Sequence, residues 1–237
     1  MTTPNSCHPI LGAVPDGWEV QRLIQRCSYL QRGKAPTYVE DSEVLALNQK
    51  AVRWGRIEEE HLKYHDPEVQ IAERHFIKAG DVVINSTGDI TIGRAYLFHD
   101  APKRLFADSH VTIIRTIPTK LRPEFLVNLL ATREYQDLVY SLVTGSTGQL
   151  ELNKSNLEGL PVLCPPIEIQ KELGQLWAPL YRSVALADAM RTDCEKAIAA
   201  LFQRDVMDAW REARWNATKS ATLPPVEVGL GNQQATA

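Results

Sequence analysis

At 237 residues with 44% apolar content, the chain can form one large domain, or one domain plus an extension, around a real core. A net charge of −3 and a pI near 6.1 weigh against a free-standing nucleic-acid binder, since such domains are usually strongly basic. The sequence contains no run of 18 apolar residues and no basic, apolar leader, so neither a membrane span nor a signal peptide is expected, and a cytoplasmic location is the default.

Cys7, Cys27, Cys164 and Cys194 are scattered without a CxxC pair, which disfavours a zinc knuckle or a disulfide framework; reduced thiols are expected. The first fifteen residues carry little pattern. From Gln21 to Lys34, QRLIQRCSYLQRGK holds Arg22, Arg26, Arg32 and Lys34 with no acidic residue between Glu19 and Glu40. This predicts a local positive surface, which a solvated helix face and a basic turn explain equally well. A short strand follows at Val44–Leu47, and then a polar cluster of Asn48, Gln49, Lys50, Arg53 and Arg56. Asn, Gln and Arg can pair with base edges and Lys and Arg with phosphates, although a polar loop has the same composition.

GDVVINSTGDITIGRAYLF reads as a strand at Val82–Ile84, a turn at Asn85–Asp89 and a second strand from Ile90 to Phe98; DSHVTIIRT is a third, with Val111 and Ile113 on one face. Pro123 suits the first turn of a helix carrying Phe125, Leu126, Leu129 and Leu130, which continues or restarts through Tyr135, Leu138 and Leu142. The fold class is therefore α+β, sheet first and helices later.

After Pro179 no proline interrupts an amphipathic run in which Leu173, Leu176, Leu180, Val184, Ala187, Cys194, Ile198 and Leu201 share one helical face. From Pro179 to about Ala213 the helix would extend roughly 50 Å at 1.5 Å per residue. Such a stripe needs a partner: the lobe itself if the helix folds back, or another helix, which a length beyond roughly 25 residues favours. Pro179 is expected to kink the start of the rod. The last stretch, 216–237, is rich in Ala, Thr, Gln, Pro and Gly and is expected to be disordered.

Catalytic signals are weak. Gly88–Arg94 has the two glycines of a phosphate loop but lacks its Lys and Ser/Thr. CPPI at Cys164–Ile167 faintly echoes the Pro-Pro-aromatic motif of amino methyltransferases, without the preceding polar residue, the aromatic or a glycine-rich cofactor loop. His61 and His65, one helical turn apart, lack an evident third metal ligand, and an exposed polar helix explains them better. His110 has no nucleophile or carboxylate placed by sequence to work with it. The reading is non-catalytic.

Seven stretches in order, GWEVQRL, QRGKAPTY, LALNQKAVRWGRI, GDVVINSTGDITIGRA, DSHVTIIR, TGSTGQLELNKSNLEGLPV and PPIEIQKEL, together resemble the specificity subunits of type I restriction-modification systems. The resemblance covers roughly the first 180 residues. It implies a β-rich target recognition domain (1–160) followed by a long spacer helix (161–215) that pairs as an antiparallel coiled coil. Full subunits carry two such units; this chain carries one. The implied task is to direct DNA methylase subunits to one part of a split duplex DNA target, with a restriction nuclease subunit as an open further partner. No cofactor is implied for this chain, and S-adenosylmethionine belongs to the partner methylase. The alternatives are a coiled-coil adaptor without DNA reading, or a small DNA methyltransferase built around Cys164–Ile167.

On this reading the candidate DNA contacts are Lys34, Tyr38, Asn48, Gln49, Lys50, Arg53, Arg56, Asn85, Ser86, Thr87, Arg94, His110, Ser146 and Gln149. Members with different targets share several of these motifs, so shared positions would hold phosphates or shape loops while base reading falls in the more individual segments. Leu173, Leu180, Val184, Ala187, Cys194, Ile198 and Leu201 are the candidate dimerisation residues of a homodimer with two-fold symmetry.

Overall fold

The structure, a computed structural model, describes residues 7–146, 150–208 and 210–212, with the backbone alone at several positions of the last helix. The expected disordered tail lies outside the described residues.

The first unit, Met1–Leu186, is built of short strands. A ribbon of β1 (Cys7–His8) and β2 (Gly12–Ala13) precedes β3 (Glu19–Arg22), a 3-10 turn at Leu23–Arg26 and β4 (Cys27–Arg32). The segment 21–34 is thus strand, turn and strand, and no helix face forms there. Next come β5 (Leu45–Leu47), the hairpin β6 (Val52–Arg53) and β7 (Arg56–Ile57), β8 (Lys63–Tyr64), β9 (Asp81–Asn85), β10 (Ala95–Leu97), β11 (Leu105–Ala107) and β12 (Val111–Thr116). The second strand of the expected hairpin begins only at Ala95. Residues 88–94 form a turn closed by the Thr91 and Ile92 N–H groups donating to the Gly88 carbonyl (3.1 and 2.9 Å), and Ile90 stays exposed.

Two sheets organise these strands. One is antiparallel in the order β10-β9-β12-β4; the other is β11-β5-β8, with β11 parallel to β5. Strand β12 is central and buried on both faces, so its β-branched run serves two cores. Alternation sends Val111 and Ile113, with Val83, into a cluster with Leu47, Val52 and Leu105. Ile114, with Val82 and Ile84, faces the larger cluster beneath the helices. As expected, Val111 and Ile113 share a face.

Helix α1 (Pro123–Ala131) starts with Pro at its first turn and buries Phe125, Leu126, Leu129 and Leu130. The chain then restarts as α2 (Arg133–Ser141), with Thr132 as its N-cap. Tyr135 of α2 donates its hydroxyl to the Pro161 carbonyl (3.1 Å) and accepts the Leu163 N–H (2.9 Å). Those residues belong to β13 (Pro161–Cys164), which follows α3 (Lys154–Gly159) and pairs antiparallel with β3. This pairing joins the end of the lobe to its beginning, so the lobe runs past the expected boundary at 160. CPPI is the connection from β13 into the last helix, α4 (Ile167–Phe202).

The opening of α4 packs on this unit. Gln170 is buried, accepting the Arg122 N–H (2.9 Å) and donating to the Pro165 carbonyl (2.8 Å). Leu173 and Trp177 lie against the main core, Trp177 stacked on Phe125 with ring centroids 6.3 Å apart. Leu173 therefore spends its surface on the lobe, although the periodicity put it in the dimerisation stripe. Helix α4 continues through Pro179, whose carbonyl accepts the Ser183 hydroxyl at 3.0 Å. The second unit is Ala187–Ala237, and its described part is the rest of α4 with a wider π-type turn at Gln203–Asp208. No helix among the described residues is long and apolar enough to cross a membrane.

One glycine is dictated by space. Leaving β4, the Gly33 N–H donates to the Val111 carbonyl (2.9 Å) and the Lys34 N–H to the Ala107 carbonyl (3.0 Å), and a Cβ on Gly33 would overlap the Ala107 carbonyl. Gly33→Ala should cost about 1–3 kcal/mol of stability. Gly159→Ala, where a Cβ meets nothing within 4 Å, should change stability by less than about 0.5 kcal/mol. Urea unfolding of the two variants checks this, and equal midpoints would contradict it.

Candidate nucleic-acid interface

Strand register gathers the candidate residues. Asn85, ending β9, pairs with Val111, opening β12; Thr112 pairs with Arg32 at the end of β4; Ala107, ending β11, pairs with Leu47, ending β5. Asp108, Ser109 and His110 bridge β11 to β12, so both sheets finish at one edge. Lys34, Asn48, Gln49, Lys50, Asn85, Ser86, Thr87 and His110, scattered in sequence, all sit at that edge.

Many of these side chains are occupied. Asn48 is buried: its amide donates to the His61 carbonyl (2.6 Å) while its Oδ1 accepts the Lys50 and Ala51 N–H groups (2.8 and 3.3 Å). Asn85 is buried too, donating to the carbonyls of Gln49 (2.9 Å) and Thr91 (3.1 Å). The Ser86 hydroxyl meets that of Thr112 at 2.5 Å, and Thr87 Oγ1 lies 2.8 Å from His110 Nδ1. Arg53 and Arg56 both pair with Glu58 at 2.8 Å, and Arg53 also donates to the Lys50 and Val52 carbonyls. These groups shape the edge. Sequence reasoning, seeing only residue types, could not separate a loop-closing Asn from a base-reading one.

The basic stretch 21–34 is likewise partly neutralised, Arg26 by Glu19 and Arg32 by Glu151, each at 2.6 Å. Lys34, Tyr38, Lys50, His110 and Ser146 are exposed, and Gln49 and Arg94 half-buried. Gln149 lies outside the described residues. The His61/His65 reading is corrected: no helix joins them. His65 is buried, accepting the Thr37 N–H at Nδ1 (2.9 Å), with Nε2 2.8 Å from the Val69 carbonyl. Glu58, Glu60 and His61 do bring ligand atoms within 4.8 Å of one another, but two guanidinium groups already hold Glu58.

The edge opens into a groove of about 780 Å³ lined in part by Tyr38, Asn48, Gln49, Lys50 and His110. Glu59, Glu60, Lys63, Tyr64 and Asp108 line it as well. The sequence reading missed all five: Glu59, Glu60, Lys63 and Tyr64 lie where none of the quoted stretches falls, and Asp108 opens DSHVTIIR but was not singled out. Asp108 is 1% exposed; its Oδ1 accepts the His110 N–H (2.8 Å) and its Oδ2 has no hydrogen-bond partner. Burial pushes its carboxyl up to about 6, against the opposing pull of the His110 N–H bond and of the His110 and Arg32 charges.

Residues 15–189 match the family profile described as "Type I restriction modification DNA specificity domain". A curated protein of Methanocaldococcus jannaschii, described as a type I restriction enzyme MjaX specificity subunit, is 20% identical over 169 residues, covering 70% of this chain and 40% of that one. The crystal structure of the HsdS subunit from Thermoanaerobacter tengcongensis superposes with a TM-score of 0.55 at 18% identity, over 91% of this chain and 53% of the other. A chain from a structural study of type I R-M system assembly gives 0.56 at 19% identity, over 83% and 46%. The chain thus spans about half the length of the relatives it matches.

With its carboxyl raised from the ordinary 3.8 to about 6, Asp108 binds a proton in the folded state that the unfolded chain has lost between about pH 4 and 6. Its contribution to stability therefore falls as pH rises through that window and stays unfavourable above it, by at most about 3 kcal/mol. Asp108→Asn cannot ionise and keeps the acceptor for the His110 N–H. It should be more stable than the parent at pH 8, with the difference fading by pH 4. Urea titrations at both pH values decide; a pH-independent difference would contradict it.

Proposed function

Since this chain belongs to the family of type I restriction modification DNA specificity domains, we propose that it is the DNA-reading, non-catalytic component of a methylase complex. The convergence of loops from both sheets on one edge carries this reading: residues from five separate stretches line or frame a single groove. The cofactor S-adenosylmethionine and the active site then lie in partner methylase subunits. A restriction nuclease subunit would join the same assembly. The net charge of −3 is compatible with this role, because partners can supply nonspecific phosphate contacts. A self-sufficient methyltransferase is disfavoured by CPPI, which serves as a strand-to-helix connection with Cys164 closing β13 against Glu19.

The second half of the proposal is a homodimer through α4. Leu176, Leu180, Met190, Ile198 and Leu201 are each at least half exposed, as are large parts of Ala187 and Cys194. Their spacing keeps them on one stripe, and the side chain of Val184, on the same stripe, lies outside the described residues. A full-length relative would cover such a stripe with its second helix; with one unit, the simplest cover is a second copy. Antiparallel pairing would present two identical lobes to inverted half-sites roughly one DNA turn, 34–36 Å, apart or somewhat more.

When the chain is reconstituted with its methylase subunits, the complex should methylate random duplexes only at a split inverted repeat; methylation without sequence preference would remove the reading. Lys50→Ala, at an exposed lysine of the groove, should weaken all sequences alike and lower the salt slope of binding by about one. Replacing Leu180, Ile198 and Leu201 together with Glu should yield folded monomers that lose bipartite targeting. Light scattering on the parent protein, alone at tens of micromolar and with methylase bound, checks the pairing, and a single copy in both conditions would rule it out.

A further inference from the structure

The groove lining mixes Lys50 and Lys63, which suit phosphates, with the acidic Glu40, Glu59, Glu60 and Asp108, which do not. Glu59 and Glu60 stand exposed on its lining, and the Asp108 carboxylate is buried there with one oxygen lacking a hydrogen-bond partner. Phosphates would be repelled by all three. Carboxylates in a DNA-facing groove have a different use, because an ionised carboxyl is acceptor-only and matches a base edge that presents a donor. Among the bases, cytosine offers its N4 amino group to the major groove, whereas adenine sets its N7 acceptor beside its N6 amino group and would repel the second carboxylate oxygen.

The stretch 59–64 also differs from the rest of the edge in how it is held. Its turn, Glu59–His61, is fixed by the Asn48 amide bonding the His61 carbonyl (2.6 Å) and by the His61 N–H donating to the Glu58 carbonyl (3.1 Å). Lys63 and Tyr64 follow on β8, the outer strand of its sheet, and both are exposed. None of these four side chains lies in the stretches that carry the family resemblance. Asn48 holds the backbone of this segment and Glu59, Glu60, Lys63 and Tyr64 line the groove, while Leu62 packs against the core and His61 lies against Glu58 at 3.6 Å.

We propose that residues 59–64 form the base-discriminating part of the groove, with a carboxylate of Glu59 or Glu60 accepting the N4 amino group of a cytosine in the target, and Lys63 and Tyr64 contacting the flanking nucleotides. This rests on the DNA-reading function proposed above and assigns its specificity to residues that no shared motif contains. Asp108, buried beneath the groove, strengthens the preference for a donor-bearing base edge.

The test uses the full chain reconstituted with its methylase subunits and a randomised duplex library, read by sequencing of methylated products. Glu59→Gln and Glu60→Gln are exposed, nearly isosteric changes, and unfolding midpoints equal to that of the parent verify folding. One of them should relax or switch the preference at one C·G pair in each half-site by roughly tenfold or more, while the salt slope of binding stays unchanged. Lys63→Ala and Tyr64→Ala should alter preference at neighbouring positions only. If both Gln variants keep the parental preference at every position, or weaken all sequences equally, the inference is overturned while the DNA-reading function stands. A parent complex that methylates without preference overturns that function, and this inference with it.

Discussion

The buried ion pair between Asp81 and Arg115 sets the register on which the rest of the lobe depends. The two residues face each other across β9 and β12, and the carboxylate, fully buried, takes two guanidinium bonds of 2.7 Å and the Lys78 N–H at 2.8 Å. A slip of one residue would strand that carboxylate in the core and turn every neighbouring side chain to the wrong face. The opposite end of the same ladder is where Asn85 meets Val111. A lock at one end of the sheet therefore fixes the loop geometry at the other, and Arg115, 5.2 Å from the centre of the Tyr29 ring, extends the lock to β4.

Around that register the edge is assembled by side chains bonding backbone. Asn48, Asn85 and Asp108 each spend oxygen or nitrogen atoms on carbonyls or N–H groups of nearby loops, which lets short loops hold shape without secondary structure of their own. Ionic pairs do the same on the hairpin β6–β7, where Glu58 gathers two arginines. These contacts explain why residues that look like DNA readers by type are found half-buried or paired. The surface left open for a ligand is what remains after they are placed.

Much of the fold was legible because its signals are local. The apolar runs of β9 and β12, the proline opening α1 and the long periodic stretch of α4 each follow from neighbouring residues. What escaped depends on distant ones. The 3-10 turn at Leu23–Arg26 stands where a helix face was plausible, since β3 pairs with β13 from the far end of the lobe. Leu173 was assigned to a partner by periodicity, but Phe125 and its neighbours lie close enough to claim it. His65 resembled half of a metal pair until Thr37 and Val69 supplied its partners. At the candidate site the residue types were readable and their roles were not. Whether an Asn closes a loop or faces a ligand is decided by what folds beside it.

Asn48 grips the turn at residues 59–61 by a main-chain carbonyl, His61's, and not by any side chain of that turn. That clasp does not depend on the exposed Glu59 side chain, which can change without touching it, whereas the His61 ring lies 3.6 Å from the Glu58 carboxylate and has a side-chain contact of its own. Under the DNA-reading function proposed above, such a segment could take on a new target by drift at a position like Glu59 while the fold and the core stay under unchanged selection.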